Sequence, residues 1–286
     1  MTAAIKVGLH YETYDPIAKQ RQVWRAADEA GFDQIWNSDH LAKTPSSGDP
    51  TGPILDAWTA LAAQAADTKR IRIGVLVTGN IHRHPSLLAK IATTVDHISN
   101  GRLEVGLGTG WNQDALSRLG MPFADPPARA RMLDEACRVL IALWTQERAN
   151  YKGRFYELKD AIAEPKPVQK PHPPIVIGGR GPKVTTRAAA RHAQGWNTSG
   201  GRGFEADAEA MKILDAHCAK LGRDPKTLRR SVNVGWNDGK GLELAERYRK
   251  IGFTEFLMAI GNDGKDALRE VDQLHREALP KLRALA

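Results

Sequence analysis

Apolar residues recur along this chain in two alternating rhythms. Short runs rich in Val, Ile and Leu give way to longer stretches where apolar or small residues return every three or four positions. The first rhythm predicts strands and the second predicts amphipathic helices. The runs fall at residues 5–11, 32–38, 71–77, 103–107, 175–177, 195–198, 228–236 and 253–260. Helical spacing follows them at about 16–30, 56–67, 85–98, 129–146, 183–193, 205–221, 241–250 and 265–283. Gly31 and Asn100-Gly101 read as stops, and Pro85 suits a first helical position because it has no amide hydrogen to leave unpaired. Strands separated by helices imply right-handed crossovers and a parallel sheet. Eight such units predict an α/β fold, a closed (β/α)8 TIM barrel, as one domain over residues 1–286. An open doubly wound sheet is the alternative, and it normally uses fewer units. The rhythm breaks over about 148–174, where a proline-rich connector predicts a small hairpin or insertion after the fourth helix. A Pro/Ser/Gly-rich loop at 44–53 is the other irregular stretch.

Composition narrows the class. The 286 residues carry 41 Lys and Arg against 33 Asp and Glu, for a formal charge of +8. The basic residues are scattered through helices rather than clustered, so no nucleic-acid footprint is expected. Cys137 and Cys218 lie in separate helical patterns, which supports neither a disulfide framework nor a cysteine-based zinc site. The opening residues lack a signal-peptide pattern, and no apolar run approaches the ~18 residues that span a bilayer. The expectation is a cytoplasmic protein that engages a small molecule rather than nucleic acid or membrane.

In a barrel of this kind the chemistry sits on residues that follow the strands. That rule gathers His10-Tyr11, Asp39-His40, Thr78-Gly79-Asn80, Gly108-Thr109-Gly110-Trp111-Asn112, Gly178-Gly179-Arg180-Gly181 and Trp196-Asn197-Thr198. Aromatic, amide, hydroxyl and imidazole groups converging with glycines suit a flat heteroaromatic ligand that carries a phosphate. Gly106, Gly108 and Gly110 do not have the spacing of a dinucleotide fingerprint. They mark either a close approach of ligand to backbone or a plain strand-loop junction. Gly178 to Gly181 open a helix, so their amides with Arg180 form either a phosphate seat or a tight turn. His40 is a candidate proton carrier, or a histidine that is only hydrogen-bonded; His10, His82 and His84 share that ambiguity. Trp36, Trp58 and Trp144 lie on apolar faces and are assigned to the core, whereas Trp111 and Trp196 are candidates for lining a pocket. No metal-ligand set, serine elbow or Walker sequence occurs. An organic cofactor therefore fits better than a bare hydrolytic site.

Four stretches carry a resemblance. They are Gly31-Phe-Asp-Gln-Ile-Trp-Asn-Ser-Asp-His40, Ile73-Gly-Val-Leu-Val-Thr-Gly79 with Arg83-His-Pro85, residues 89–111 ending in Gly-Leu-Gly-Thr-Gly-Trp111, and the connector from Pro165 to Gly179. Together they resemble the bacterial luciferase-like superfamily of flavin and deazaflavin oxidoreductases over nearly the whole chain. The likeness is greatest to the branch that uses coenzyme F420, a deazaflavin that moves hydride. The alternative it leaves is an FMN-dependent monooxygenase fed by a separate reductase. The resemblance implies that Thr78, Gly79 and Asn80 form a bulge, often with a non-prolyl cis peptide, behind the tricyclic ring. It further implies that Gly108, Thr109, Gly110 and Asn112 line the ring and its side chain, and that Gly178, Gly179, Arg180 and Gly181 hold the phosphate. Asp39 and His40 match a position where some deazaflavin dehydrogenases keep an active-site histidine. Trp111 stands where those dehydrogenases have a glutamate, which weakens an assignment to sugar phosphates and makes it a candidate for shaping the substrate side. A homodimer is expected on the same likeness. The substrate itself would be set by loops 41–53 and 148–174.

Overall fold

The structure, a computed structural model, describes residues 4–43, 51–201, 203–236, 240–262 and 264–286. Strand and helix alternate as β1 (Lys6–Tyr11), α1 (Ile17–Glu29), β2 (Gln34–Asn37), α2 (Ala57–Asp67), β3 (Arg72–Gly79), α3 (Pro85–Ile98) and β4 (Leu103–Gly108). Then come α4 (Gln113–Arg118), α5 (Pro126–Thr145), the strands β5 (Ala149–Lys152) and β6 (Glu157–Ala161), and β7 (Ile175–Gly178). The chain ends with α6 (Thr185–His192), β8 (Gly195–Thr198), α7 (Phe204–Lys220), β9 (Arg229–Asn233), α8 (Gly241–Lys250), β10 (Glu255–Ile260), α9 (Ala267–Glu277) and α10 (Leu279–Arg283). Eight parallel strands close in the order β1-β2-β3-β4-β7-β8-β9-β10 and back to β1, which is the expected (β/α)8 barrel. The open sheet is excluded. No helix among the described residues is long and apolar enough to cross a membrane.

Departures from the expected elements have local causes. Helix α5 begins three residues early because Asp125 caps it, accepting from the Ala128 amide at 2.7 Å, and Pro126 fills the first position. The last helix divides at Ala278, since Pro280 can donate no amide hydrogen to the preceding turn. The short α4, absent from the expected elements, is capped by Asn112, whose Oδ1 accepts from Ala115 N at 3.2 Å. The stretch at 148–174 contains the antiparallel β5–β6 hairpin and then the proline-rich connector, in which the Glu164–Pro165 and Lys170–Pro171 bonds are cis. Of the loop expected at 44–53, residues 44–50 lie outside the described residues.

Residues alternate along each strand between the helix layer and the barrel interior. Val7, Leu9 and Tyr11 of β1, and their counterparts on other strands, join Trp58, Trp144 and the apolar helix faces in one continuous core. Inside the barrel a smaller cluster holds Trp36, Leu76, Val176 and Leu257. Gly74 makes room for it, because a Cβ there would stand 2.5 Å from the Trp36 ring. Below this cluster the interior is charged. Arg229 pairs with Glu104 at 2.5 Å and Glu255 at 3.0 Å, and Arg72 reaches Glu104 at 2.6 Å. The connector seals that end, with Gln169 donating from Nε2 to Leu103 O and Asp96 Oδ1, both at 2.7 Å.

Candidate functional site

At the opposite, C-terminal end of the strands a cavity of about 670 Å³ opens among the loops after β1, β2, β3, β4, β7, β8 and β9. Ligand sites commonly occupy ~300–1,000 Å³ and sit at this face of such barrels. Its floor comes from an irregularity in β3. The pairing of β3 with β4 shifts between Val75 and Thr78, and the Leu76–Val77 peptide between them is cis. Leu76 and Val77 thereby both face the cavity. Val77 is pinned on both sides: a Cβ on Gly108 would lie 2.5 Å from its Cγ2, and one on Gly178 would lie 2.7 Å from its Cγ1. The absence of a side chain at Gly108 and Gly178 therefore first serves the protein's own bulge.

His10, at the end of β1, sits in a closed set of partners. Its Nε2 lies 3.0 Å from both Leu76 O and Ser38 Oγ, and Asn233 Nδ2 approaches its Nδ1 at 3.1 Å. The Asn233 amide donates, so Nδ1 accepts and Nε2 carries the hydrogen, which makes the ring a neutral tautomer. Burial pushes its pKa down further than the Glu12 charge lifts it, in keeping with that state. His10 is a fixed strut of the wall.

His40 is held more loosely. Its Nδ1 faces Glu12 Oε2 at 3.5 Å, within ion-pair range but long for a good hydrogen bond, and its ring meets Trp111 edge to face with centroids 5.9 Å apart. Burial would raise the Glu12 carboxyl, but contact with His40 outweighs it and holds its pKa at about 2. Glu12 is thus ionised at neutral pH. Beside it Asp39 Oδ2 accepts from Arg83 Nη1 at 2.7 Å and lies 3.4 Å from His82 Nδ1. Burial works against the Asp39 charge, and His82 and Arg83 overcome it, so its pKa is lowered. Asp39 Oδ1 is buried with no hydrogen-bond partner among the described residues.

Of the residues expected at the site, Asp39, His40, Gly79, Gly108, Thr109, Gly110, Trp111, Asn112 and Gly178 to Gly181 line the cavity. Thr78 and Asn80 do not. Thr78 Oγ1 accepts from Trp58 Nε1 at 2.7 Å in the helix layer, and Asn80 is buried with its amide on Gly108 O at 2.9 Å. The bulge lies at Leu76 and Val77, two residues earlier than expected, and it is Val77 that forms the floor. Trp196 is likewise removed from the pocket. It is fully buried in the outer layer against Phe253, donating to Gly179 O at 2.8 Å. Arg180 lines the cavity, yet its Nη1 donates to Asp207 at 2.6 Å. Helix α6 starts only at Thr185, and the Thr186 amide is occupied by Gly181 O at 3.0 Å. Glu12, Ser38, Leu116 and Asn233 also line the cavity and were not among the expected residues. Among the described residues there is no group of three or more His, Cys, Asp or Glu able to hold a metal ion.

The barrel and this cavity define a class of protein with a ligand site at the C-terminal strand face. The chain belongs to the family described as luciferase-like monooxygenases, whose profile it matches over residues 1–276. It is 36% identical over 264 residues to an uncharacterized protein of Mycobacterium tuberculosis (strain H37Rv), covering 87% of this chain and 90% of that one. It is 37% identical over 201 residues to an F420-dependent glucose-6-phosphate dehydrogenase of Microbacterium testaceum, covering 69% of this chain and 57% of the relative. Its fold matches an F420-dependent secondary alcohol dehydrogenase solved with an F420-acetone adduct, with a TM-score of 0.83 at 18% identity over 98% of this chain and 99% of that one.

Proposed function

We propose that this protein is an oxidoreductase that uses coenzyme F420 to move a hydride to or from a small organic substrate. The observation that carries the reading is the pairing, across one cavity, of the Val77 floor between Gly108 and Gly178 with the His40–Glu12 couple at the mouth. The named cofactor of the Microbacterium testaceum relative supports it. The residues present fit a flat tricyclic ring. Val77 and Leu76 offer an apolar face, and the orphaned Asp39 Oδ1 is an acceptor in want of a donor. Gly178 to Gly181 and the remaining donors of Arg180 would hold the phosphate. When bound, the deazaflavin supplies hydride exchange, chemistry that no side chain here provides.

The chain's own share is position and proton movement. Glu12 Oε2 stands 3.5 Å from Nδ1 of His40, so Nε2 is the atom we assign to take or give the proton accompanying the hydride. Arg83 and His82 keep Asp39 ionised, so that it accepts hydrogen bonds and donates none. Apolar groups on the floor exclude water from the ring's back face.

Titration of the purified protein with F420 and, separately, with FMN, followed by ligand fluorescence, tests the assignment. Saturable F420 binding with weak or no FMN binding is expected. Tight FMN binding with no response to F420 would instead favour a monooxygenase, the activity that gives the family its description.

A further inference from the structure

The cavity has two walls that differ in the charge they can accept. On the side of β7 and β8 stand the amides of the Gly178–Gly181 loop and the guanidinium of Arg180. On the other side Glu12, His40, Leu41 and Trp111 face the opening. Among the described residues that line the cavity, Arg180 is the only Lys or Arg, and buried Asp207 already binds it at 2.6 Å. The lining carboxylates are Glu12 and Asp39. Arg83 balances Asp39 at 2.7 Å, whereas the ion-pair partner of Glu12 among the described residues is a histidine at 3.5 Å. An anion brought to the His40 side would meet an ionised carboxylate and, among the described residues lining that side, no guanidinium or ammonium that could answer it.

The same side offers apolar surface instead. Trp111 is 61% exposed although it is the largest kind of side chain, and one edge contact with His40 is its only ring partner among the described residues. Leu41, half-buried, lines the same side, with Leu116 of α4 packed beneath the rim at 1% exposure. An aromatic plate left open at the mouth of a cavity gains most from a ligand that covers it.

Resting on the F420 reading above, we infer that the substrate is an uncharged alcohol or carbonyl compound with aromatic or aliphatic bulk, seated against Trp111 and Leu41. Phosphate esters, sugar phosphates among them, are excluded from this side. The chain thus parts from the dehydrogenase of Microbacterium testaceum in the substrate it takes, while any phosphate it binds belongs to the cofactor on the β7–β8 side.

Ligand-observed NMR on the purified chain, with and without F420, tests this using acetophenone, its 4-carboxylate twin and glucose 6-phosphate. Acetophenone is expected to saturate, the carboxylate to bind at least ~10-fold more weakly, and glucose 6-phosphate not to saturate. Trp111→Ala should weaken acetophenone ~10-fold while leaving the circular dichroism spectrum unchanged. Leu41→Ala provides a second reading should the tryptophan variant misfold. The inference is overturned if acetophenone does not saturate, if the carboxylate or sugar phosphate binds as well as the neutral ketone, or if neither variant weakens it. F420 fluorescence on the same samples separates the two levels. Retained F420 binding with a reversed ligand preference sinks the substrate class alone. Absent F420 binding sinks the cofactor, and the preference measured without it still decides the substrate class.

Discussion

The two ends of the barrel are built from the same eight strands in the same inward register, yet they treat their charges in opposite ways. At the N-terminal end both carboxylates inside the barrel, Glu104 and Glu255, are answered at each oxygen. Glu104 Oε1 accepts from Arg72 and Arg229 at 2.6 and 3.1 Å and its Oε2 from Arg229 at 2.5 Å, while Glu255 is met by Arg229 at 3.0 Å and Gln34 at 3.5 Å. At the C-terminal end Asp39 Oδ1 is left over among the described residues, and the ion-pair partner of Glu12 there is His40 at 3.5 Å. Guanidiniums fill one end; at the other Arg83 and Arg180 are already engaged by Asp39 and Asp207, and the His40–Glu12 couple and Asp39 Oδ1 stay open to a ligand. The difference separates a face built for stability from one built for chemistry.

The largest effect that would break this contrast lies at the closed end. Glu104→Gln leaves the Arg229 and Arg72 guanidiniums buried with their main counter-charge gone, and removing one partner of such a network costs about 3–5 kcal/mol. Urea denaturation is expected to show that loss, with F420 affinity of the remaining folded protein unchanged. Glu255→Gln provides the internal control. Burial, with the neighbouring Glu104 charge, pushes the Glu255 carboxyl up against the pull of Arg229, so a neutral amide there should cost about 1 kcal/mol. By contrast Arg229 and Arg72 hold Glu104 low in spite of its burial. Equal losses in the two variants would show that the network does not distinguish its two carboxylates.

The sequence made one half of this contrast more legible than the other. Runs such as Ile71-Arg-Ile-Gly-Val-Leu-Val77 announce strands because branched apolar residues face the helix layer, and their count leads to the barrel. The inward residues are harder to see, since they are glycines, glutamates and arginines scattered among those apolar positions. Parity would have found some of them. Gly8 and His10 point inward, and Glu12 continues that alternation two residues on; Asn197 inward on β8 forces Trp196 outward. Val77 is different in kind. Its exposure to the cavity follows from an extra residue in the pairing of β3 with β4, which depends on a partner strand some 30 positions away. The only local trace is the pair of glycines, Gly106 and Gly108, on that partner.

Acid sharpens the comparison at the open end. The Glu12 pKa in the folded protein is about 2, below its ordinary value of 4.5. Its ionised form therefore contributes stability that is present above pH 4.5 and is lost as pH falls through about 2. In Glu12→Gln this contribution is missing. The stability gap between wild type and variant should shrink by about 2 kcal/mol from pH 5 to pH 3, as read from urea midpoints at each pH. A gap that stays constant over this range would mean that Glu12 carries no special charge partner in the folded state, and the His40–Glu12 couple would lose its basis.

The smallest effect concerns the floor itself. A methyl at Gly108 would overlap Val77 Cγ2 at 2.5 Å, while Val77 Cγ1 already lies against Gly178, where an added Cβ would stand 2.7 Å away. A β-branched side chain has few rotamers to offer in any case. Gly108→Ala must then push the Leu76–Val77 bulge towards the cavity, where the cofactor ring is proposed to lie. Overpacking of this sort costs about 1–3 kcal/mol, and the open end should show it more in ligand affinity than in folding. F420 binding is expected to weaken about 10-fold with a shift in melting temperature of only a few degrees. The double variant Gly108→Ala, Val77→Ala removes the methyl groups that collide and should recover most of the affinity. If the second substitution restores nothing, Gly108 is needed for direct contact with the ligand rather than for the bulge, and the floor would have to be assigned to the glycine strand itself.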